Sequence, residues 1–330
     1  MLKLCLVSIN DTPPPEGFVK VVRGLGEVAE LSFSRSEMLD ECFLGEAKKS
    51  SFDRHIFWQA DALVRSVQPL ALARTFIVPD ISFPPIAEAD WRGFVSCRFL
   101  ALTRTQHEAL QRTGCASSHF QYYLEPLPVS TIDFRPKTPT ARFVDRERTN
   151  GINLKMITTL CRALGIPSLN VLASPDAGPQ ALELRSGPSE GVDVRIVTTL
   201  PSQEECSIHF SSPPAKGLDT ESIDAMANGC LVISPDTTAM RDYMAPSTSG
   251  IFYDPVAPLA CLPELDQDKI AAIRRAALRK ASFGHLSWAQ DRARLASIIA
   301  DDGSRWGSGD YSAAFTSAIR HAAYNRLVHA

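Results

Sequence analysis

Residues 208–234 bring an acid, a cation and a glycine-hinged loop together at the spacing of a ligand site. Lys216-Gly217-Leu218 is a loop that uses glycine's backbone freedom. Asp219 or Thr220 then caps a helix, and Glu221 in its first turn suits the positive end of the helix dipole. Free backbone N–H groups at such a helix start hold an anion. Asp224, one turn further in, reaches a neighbouring pair of hydroxyls. The alternative for the same residues is a structural strand–helix–strand unit with a solvated Asp224.

The surrounding elements follow from the pattern. Residues 208–211 read as a short strand before a Pro-Pro breaker. The helix turns Ile223, Met226 and Ala227 inward and stops at Asn228-Gly229, residues that tolerate a left-handed C-cap. Residues 230–233 are wholly apolar, as in a parallel strand covered on both faces.

The segment Asp224-Ala-Met-Ala-Asn-Gly229 followed by Leu-Val-Ile-Ser234 resembles the donor-nucleotide motif of retaining GT-B glycosyltransferases, particularly family 4. The resemblance implies that Asp224 binds ribose hydroxyls, although its side chain is one methylene shorter than the family's glutamate. Where the family has its first acid, eight positions earlier, this chain has Lys216. The resemblance also implies a diphosphate grip by Arg146, helped by Arg148 or Lys155, because Asn150 stands at the family's lysine position. Cations fit there because cleavage of a sugar–phosphate bond places negative charge on the departing diphosphate. Gly217, Leu218, Thr237 and Thr238 complete the implied donor site, the two threonines standing where the family's backbone amides meet phosphate or sugar.

The N-terminal half alternates strands and helices. Leu2 to Ile9 is a strand, a Pro-rich loop containing Glu16 and Gly17 is the implied acceptor side, and 18–31 reads as an amphipathic helix. The Gly24-Leu-Gly26 fingerprint falls inside that helix, away from a strand-to-helix turn, and is discounted. Strands are expected at 52–57, 73–78, 94–103 and 120–126, with helices at 59–66 and 106–112. His55 and Asp80 are the catalytic candidates on this half, with Lys216 from the other; a core histidine and a turn-capping aspartate are the structural alternatives. Arg54, Arg98 and Arg104 face either the cleft or solvent.

In the C-terminal half, strands are expected at 169–173, 192–198, 208–211, 230–233 and 250–255. Helices are expected at 152–164, 179–184, 266–280, 289–299 and 311–327. The element order fits doubly wound α/β sheets, and the resemblance implies two such Rossmann-like domains facing across a cleft, the GT-B fold. Their expected extents are 1–138 and 139–305, with 306–330 a terminal helix returning to the first domain.

Composition narrows the classes further. The chain of 330 residues suffices for two cores. A net charge of −3 gives no nucleic-acid footprint. The eight cysteines form no Cys-x-x-Cys pair, and Cys5, Cys161 and Cys230 lie in apolar runs, as reduced core thiols of a cytoplasmic protein do. No apolar run spans a membrane, while peripheral contact with its inner face stays open. Asp266-Gln-Asp268 opens a helix rather than ending a strand, a poor metal motif. The implied activity is metal-independent transfer of a sugar, with retention, from a UDP- or GDP-linked donor to a hydroxyl of a glycan, glycolipid or small molecule in glycan biosynthesis. No cofactor is implied beyond the nucleotide sugar. An inactive nucleotide-sugar-binding scaffold is the second reading, and an epimerase or hydrolase on the same fold the third. Neither the acceptor nor the oligomeric state is legible.

Overall fold

A computed structural model describes residues 1–9, 13–33, 52–60, 74–79, 94, 97–134, 138–145, 152–173, 187–189, 191–197, 199, 206–212, 219–260 and 262–301. The chain divides into two compact units. The first comprises Met1–Gln121, Lys216–Leu218 and Trp288–Ala330, and the second Tyr122–Ala215 and Asp219–Ser287.

The first unit holds a six-stranded parallel sheet in the order β2-β1-β3-β4-β5-β6. Its strands are β1 (Leu2–Ile9), β2 (Gly26–Phe33), β3 (Arg54–Trp58), β4 (Thr75–Val78), β5 (Arg98–Ala101) and β6 (Ala116–His119). Cys5, Val7, Phe57, Ile77 and Phe99 form its core. Helix α1 (Glu16–Arg23) follows β1, burying Phe18, Val19 and Val22, and α2 (Arg104–Arg112) is capped by Thr103, whose hydroxyl accepts from Gln106 N at 3.2 Å.

The second unit holds a seven-stranded sheet in the order β13-β12-β11-β7-β8-β10-β9. These are β7 (Thr140–Asp145), β8 (Ser168–Ala173), β9 (Gly187–Ser189), β10 (Val192–Val197), β11 (Ile208–Phe210), β12 (Leu231–Pro235) and β13 (Ile251–Tyr253). All pair in parallel except β9, which is antiparallel to β10. Its helices are α3 (Leu154–Ala163), α4 (Thr220–Ala227) and α5 (Thr238–Tyr243). Asn153 caps α3 through Met156 N at 2.9 Å. Ala141, Phe143, Ile208, Phe210, Leu231 and Ile233 line one face of the sheet, packed with Ile157 and Leu160 of α3. The last element, α6 (Gln267–Ala300), begins in the second unit and ends in the first, changing at Trp288.

Four expectations are corrected. The helix expected over 18–31 stops at Arg23, and Gly26–Phe33 is an edge strand paired with β1. Two glycines within three residues each disfavour a helix by about 1 kcal/mol, and Arg23 instead bonds Glu30 on the strand at 2.9 Å. The Gly24-Leu-Gly26 fingerprint therefore lies at a helix-to-strand turn. The strand expected over 120–126 is β6, four residues earlier, and Phe120 and Tyr122 are buried beyond its end, Phe120 N still donating to Ala101 O of β5 at 2.9 Å. Gln59 and Ala60 are not helical, and the rest of the 59–66 helix lies outside the described residues. The helices expected at 266–280 and 289–299 are one helix of 34 residues. Gly284 sits within it because the ring of Tyr123 lies where a side chain would begin: a Cβ there would be 2.2 Å from Tyr123 Cδ2. The helices expected at 179–184 and 311–327 lie outside the described residues.

Candidate functional site

The sequence motif forms a polar cluster at the carboxyl end of the second sheet. Ser211 and Ser212 follow β11 and are buried; Asp219 caps α4. Asp219 is 4% exposed, and its carboxylate accepts from Ser222 N at 3.1 Å, from Ser222 Oγ at 2.6 Å and from Ser211 Oγ. The acid is buried because three donors replace water, and it ties the end of β11 to the start of α4. The C-cap is as expected. Asn228 ends the helix and Gly229 takes φ 74°, where a Cβ would also press on Ile132 at 2.9 Å.

Asp224 is half-buried on α4. Asn228 Nδ2 donates to its carboxylate at 2.8 Å and to its backbone oxygen at 2.8 Å. Burial raises the Asp224 carboxyl above the ordinary range, opposed by the charge of Arg142 and by the Asn228 bond. Arg142 is a buried cation in the middle of β7, in register with His209 of β11, and its Nε donates to His209 Nδ1 at 3.2 Å. Arg142 thus supplies the countercharge for an acid otherwise poorly solvated.

His209, Asp219 and Glu221 have potential ligand atoms within 4.8 Å of one another, the spacing of a metal site. Their chemistry does not fit one. An arginine Nε is always a donor, so His209 Nδ1 must present its lone pair to Arg142 and the ring proton sits on Nε2. A metal-bound histidine needs the reverse, one nitrogen on the metal and the other donating. With Arg142 on Nδ1, neither nitrogen of His209 is available to an ion.

Thr237 and Thr238 follow β12, the strand adjacent to β11. They open α5 rather than a loop: Thr237 Oγ1 caps it by accepting from Met240 N at 3.2 Å, and Thr238 is exposed. The Thr237 hydroxyl proton stays available to a ligand. Lys155 is exposed in the first turn of α3. Arg146, Arg148, Lys216, Gly217, Leu218 and Asp80 lie outside the described residues.

In the first unit, Glu16 and Gly17 form the first turn of α1, Glu16 exposed 3.7 Å from Arg23. His55 is the second residue of β3, buried edge-on to Phe52 with ring centroids 5.7 Å apart. That is the amino end of the strand, whereas doubly wound sheets hold ligands at the carboxyl ends. Arg54 and Arg98, expected at the cleft or in solvent, are buried at the same end and cap α6. Arg54 donates to Ile299 O at 3.1 Å and Asp301 O at 3.0 Å, and Arg98 to Ile298 O at 3.2 Å.

The sequence reading missed Arg142, His209, Ser211 and Asn228 as parts of the cluster. A signal existed: Arg142 and His209 are polar residues in the middle of otherwise apolar strands. It also missed Gln59 at the carboxyl end of β3, which is buried at φ 50° and whose Nε2 has no hydrogen-bond partner among the described residues. Strain together with an unsatisfied donor is a feature that clusters at functional positions. The six cysteines among the described residues are buried thiols, with Cys5, Cys97 and Cys161 pushed up to about 12 by burial.

No protein-family model and no curated protein matches the chain. Solved structures do. Anabaena HepE, crystallised with UDP and glucose, superposes with a TM-score of 0.60 at 12% identity, over 90% of this chain and 100% of that one. Sucrose-phosphate synthase from Thermosynechococcus elongatus gives 0.56 at 12% identity, over 100% and 99%. A glycosyltransferase from Rickettsia africae gives 0.55 at 10% identity, over 90% and 98%. The fold is GT-B. The two sheets, parallel but for β9, match with their helices the structures of GT-B glycosyltransferases, as the resemblance in the sequence implied. Within this GT-B chain, the Asp219–Asp224 cluster belongs to the second sheet. No described helix is long and apolar enough to cross a membrane.

Proposed function

We propose that this GT-B protein transfers a sugar from a nucleotide diphosphate sugar to a hydroxyl acceptor, with retention and without a metal. The observation that carries the reading is the half-buried Asp224 carboxylate, oriented by Asn228 and balanced by Arg142, on the helix that follows a strand's carboxyl end. A fixed acceptor in that position suits the two hydroxyls of a ribose. The Thr237 and Thr238 hydroxyls donate to phosphate or sugar oxygens. Arg146, Arg148, Lys155 and Lys216 are assigned to the diphosphate, whose negative charge grows as the sugar leaves.

In this scheme the leaving phosphate takes the proton of the incoming hydroxyl, and no protein base is required on the second unit. His55 receives no role, because it is buried at the amino end of β3. Asp80 keeps its catalytic candidacy, and Glu16 and Gly17 keep their acceptor-side assignment. Metal independence is supported by the engagement of His209 with Arg142. A uridine nucleotide is the first candidate donor, since HepE was solved with UDP and with UDP-glucose.

Calorimetric titration of UDP and UDP-glucose into the parent and Asp224→Ala proteins tests the reading. Binding by the parent that weakens at least about tenfold in the variant is expected, the loss of one charge-assisted contact. An unchanged dissociation constant would remove Asp224 from the donor site. A second reading, nucleotide-sugar binding without transfer, is favoured by Lys216 standing where GT-B enzymes of family 4 carry an acid. Binding without turnover under a broad acceptor panel would select it.

A further inference from the structure

Helix α6 presents a face that the donor site does not use. Phe283 and Leu286 are 65% and 61% exposed, and Arg275 and Arg279 are exposed beside them. At the helical advance of 100° per residue, these four side chains fall within an arc of roughly 80°. Ile270, Ile273, Ala277, Leu278 and Ala281 are buried and occupy the opposite side. From Lys269 to Gln290 the helix carries no Asp or Glu, in a chain whose net charge is −3. Arg275, although exposed, also lies over the Phe134 ring at 5.9 Å, which leaves its guanidinium at the surface. Two other cations of this stretch are turned to the protein. Arg274 is buried on Gly229 O at 2.7 Å, and half-buried Lys280 has Asp242 for a neighbour.

We propose that this face of α6 docks on an anionic lipid bilayer surface. A pair of large apolar side chains enters the boundary between headgroups and acyl chains, while arginines one and two turns away reach the phosphates along their flexible stems. The charge pattern selects the partner. A surface of uniform negative potential is complementary to a helix face with cations and no acids, and each basic residue near it adds to binding. The proposal is independent of the donor chemistry.

Full-length protein is sedimented with vesicles of phosphatidylcholine alone and of phosphatidylcholine with about one third phosphatidylglycerol. Binding to the anionic vesicles only, weakening as salt is added, is expected. The double variants Phe283→Ser/Leu286→Ser and Arg275→Glu/Arg279→Glu each lose about tenfold or more in partitioning. Both keep the parent's melting temperature, because all four side chains are exposed. Failure of the parent to bind anionic vesicles overturns the proposal, as does binding at the parent's level by either double variant. So does a parent dimer that Phe283→Ser/Leu286→Ser converts to monomer, which would make the face a contact between copies.

Discussion

Asn228 Nδ2 holds the Asp224 carboxylate at 2.8 Å from the next turn of the same helix. One side chain therefore closes the helix and orients the acid. The bond, with Arg142 behind it, keeps a carboxylate in partly dry surroundings at a cost in stability. That cost is the mark of a group retained for binding.

The sign of that cost is testable by pH. Burial raises the folded-state pKa of Asp224. A carboxyl raised on folding favours the folded state below its unfolded value, about 3.9, and that contribution is lost as pH rises through the folded value. Asp224→Asn, which still accepts from Asn228, is therefore expected to melt above the parent near neutral pH. The difference closes as pH falls to about 4, where the parent is protonated. Melting curves across this range check it, and a variant less stable than the parent near neutral pH, with the deficit closing as pH falls, would mean that the attraction of Arg142 outweighs burial.

Arg54 and Arg98 satisfy carbonyls that a helix end leaves open, from within the first sheet. Arg54→Met keeps most of the volume and removes the donors to the carbonyls of residues 299–301, leaving Arg98 on Ile298 O. A destabilisation of roughly 2–4 kcal/mol is expected in urea unfolding, from lost charged hydrogen bonds and buried carbonyls left unpaired. A loss under about 0.5 kcal/mol would show that water replaces the cap.

Gly284→Ala should destabilise although alanine is the better helix former. Helix propensity favours the change by about 1 kcal/mol, but the new Cβ meets the Tyr123 ring. Moving a buried ring costs about 1–3 kcal/mol, so a net loss of about 1 kcal/mol is expected in thermal unfolding. The double variant Gly284→Ala/Tyr123→Leu should lose no further stability to the alanine, which separates the clash from other effects of the substitution.

What was legible in the sequence was what short-range chemistry determines. Asp219 caps its helix through Ser222, three residues on, and Gly229 supplies the left-handed turn, so α4 and the strand after it could be read directly. Alternation of apolar strands with capped helices gave a doubly wound α/β pattern, and the resemblance at 224–234 gave GT-B. The misreadings depend on distant partners. Gly284 looks like a break until Tyr123 is beside it. Arg54 and Arg98 look like surface cations until the carbonyls of residues 298–301 reach them. Residues 26–33 carry apolar spacings compatible with a helix, and pairing with β1 decides in favour of a strand. In the site, Asp224 was visible through its motif, whereas Arg142 and His209 lie on separate strands and acquire meaning only in register.

The central claim is that Asp224 belongs to a nucleotide-sugar site. Thermal unfolding of the parent and Asp224→Ala with UDP, GDP, ADP, CMP and their sugar conjugates tests it most directly. A ligand at about 100 times its dissociation constant stabilises the native state by about 2.7 kcal/mol, a rise of several degrees. The account predicts a rise for one nucleotide family, uridine first, that disappears in Asp224→Ala while the variant stays folded. A rise of equal size in both proteins, or none with any nucleotide, would contradict it.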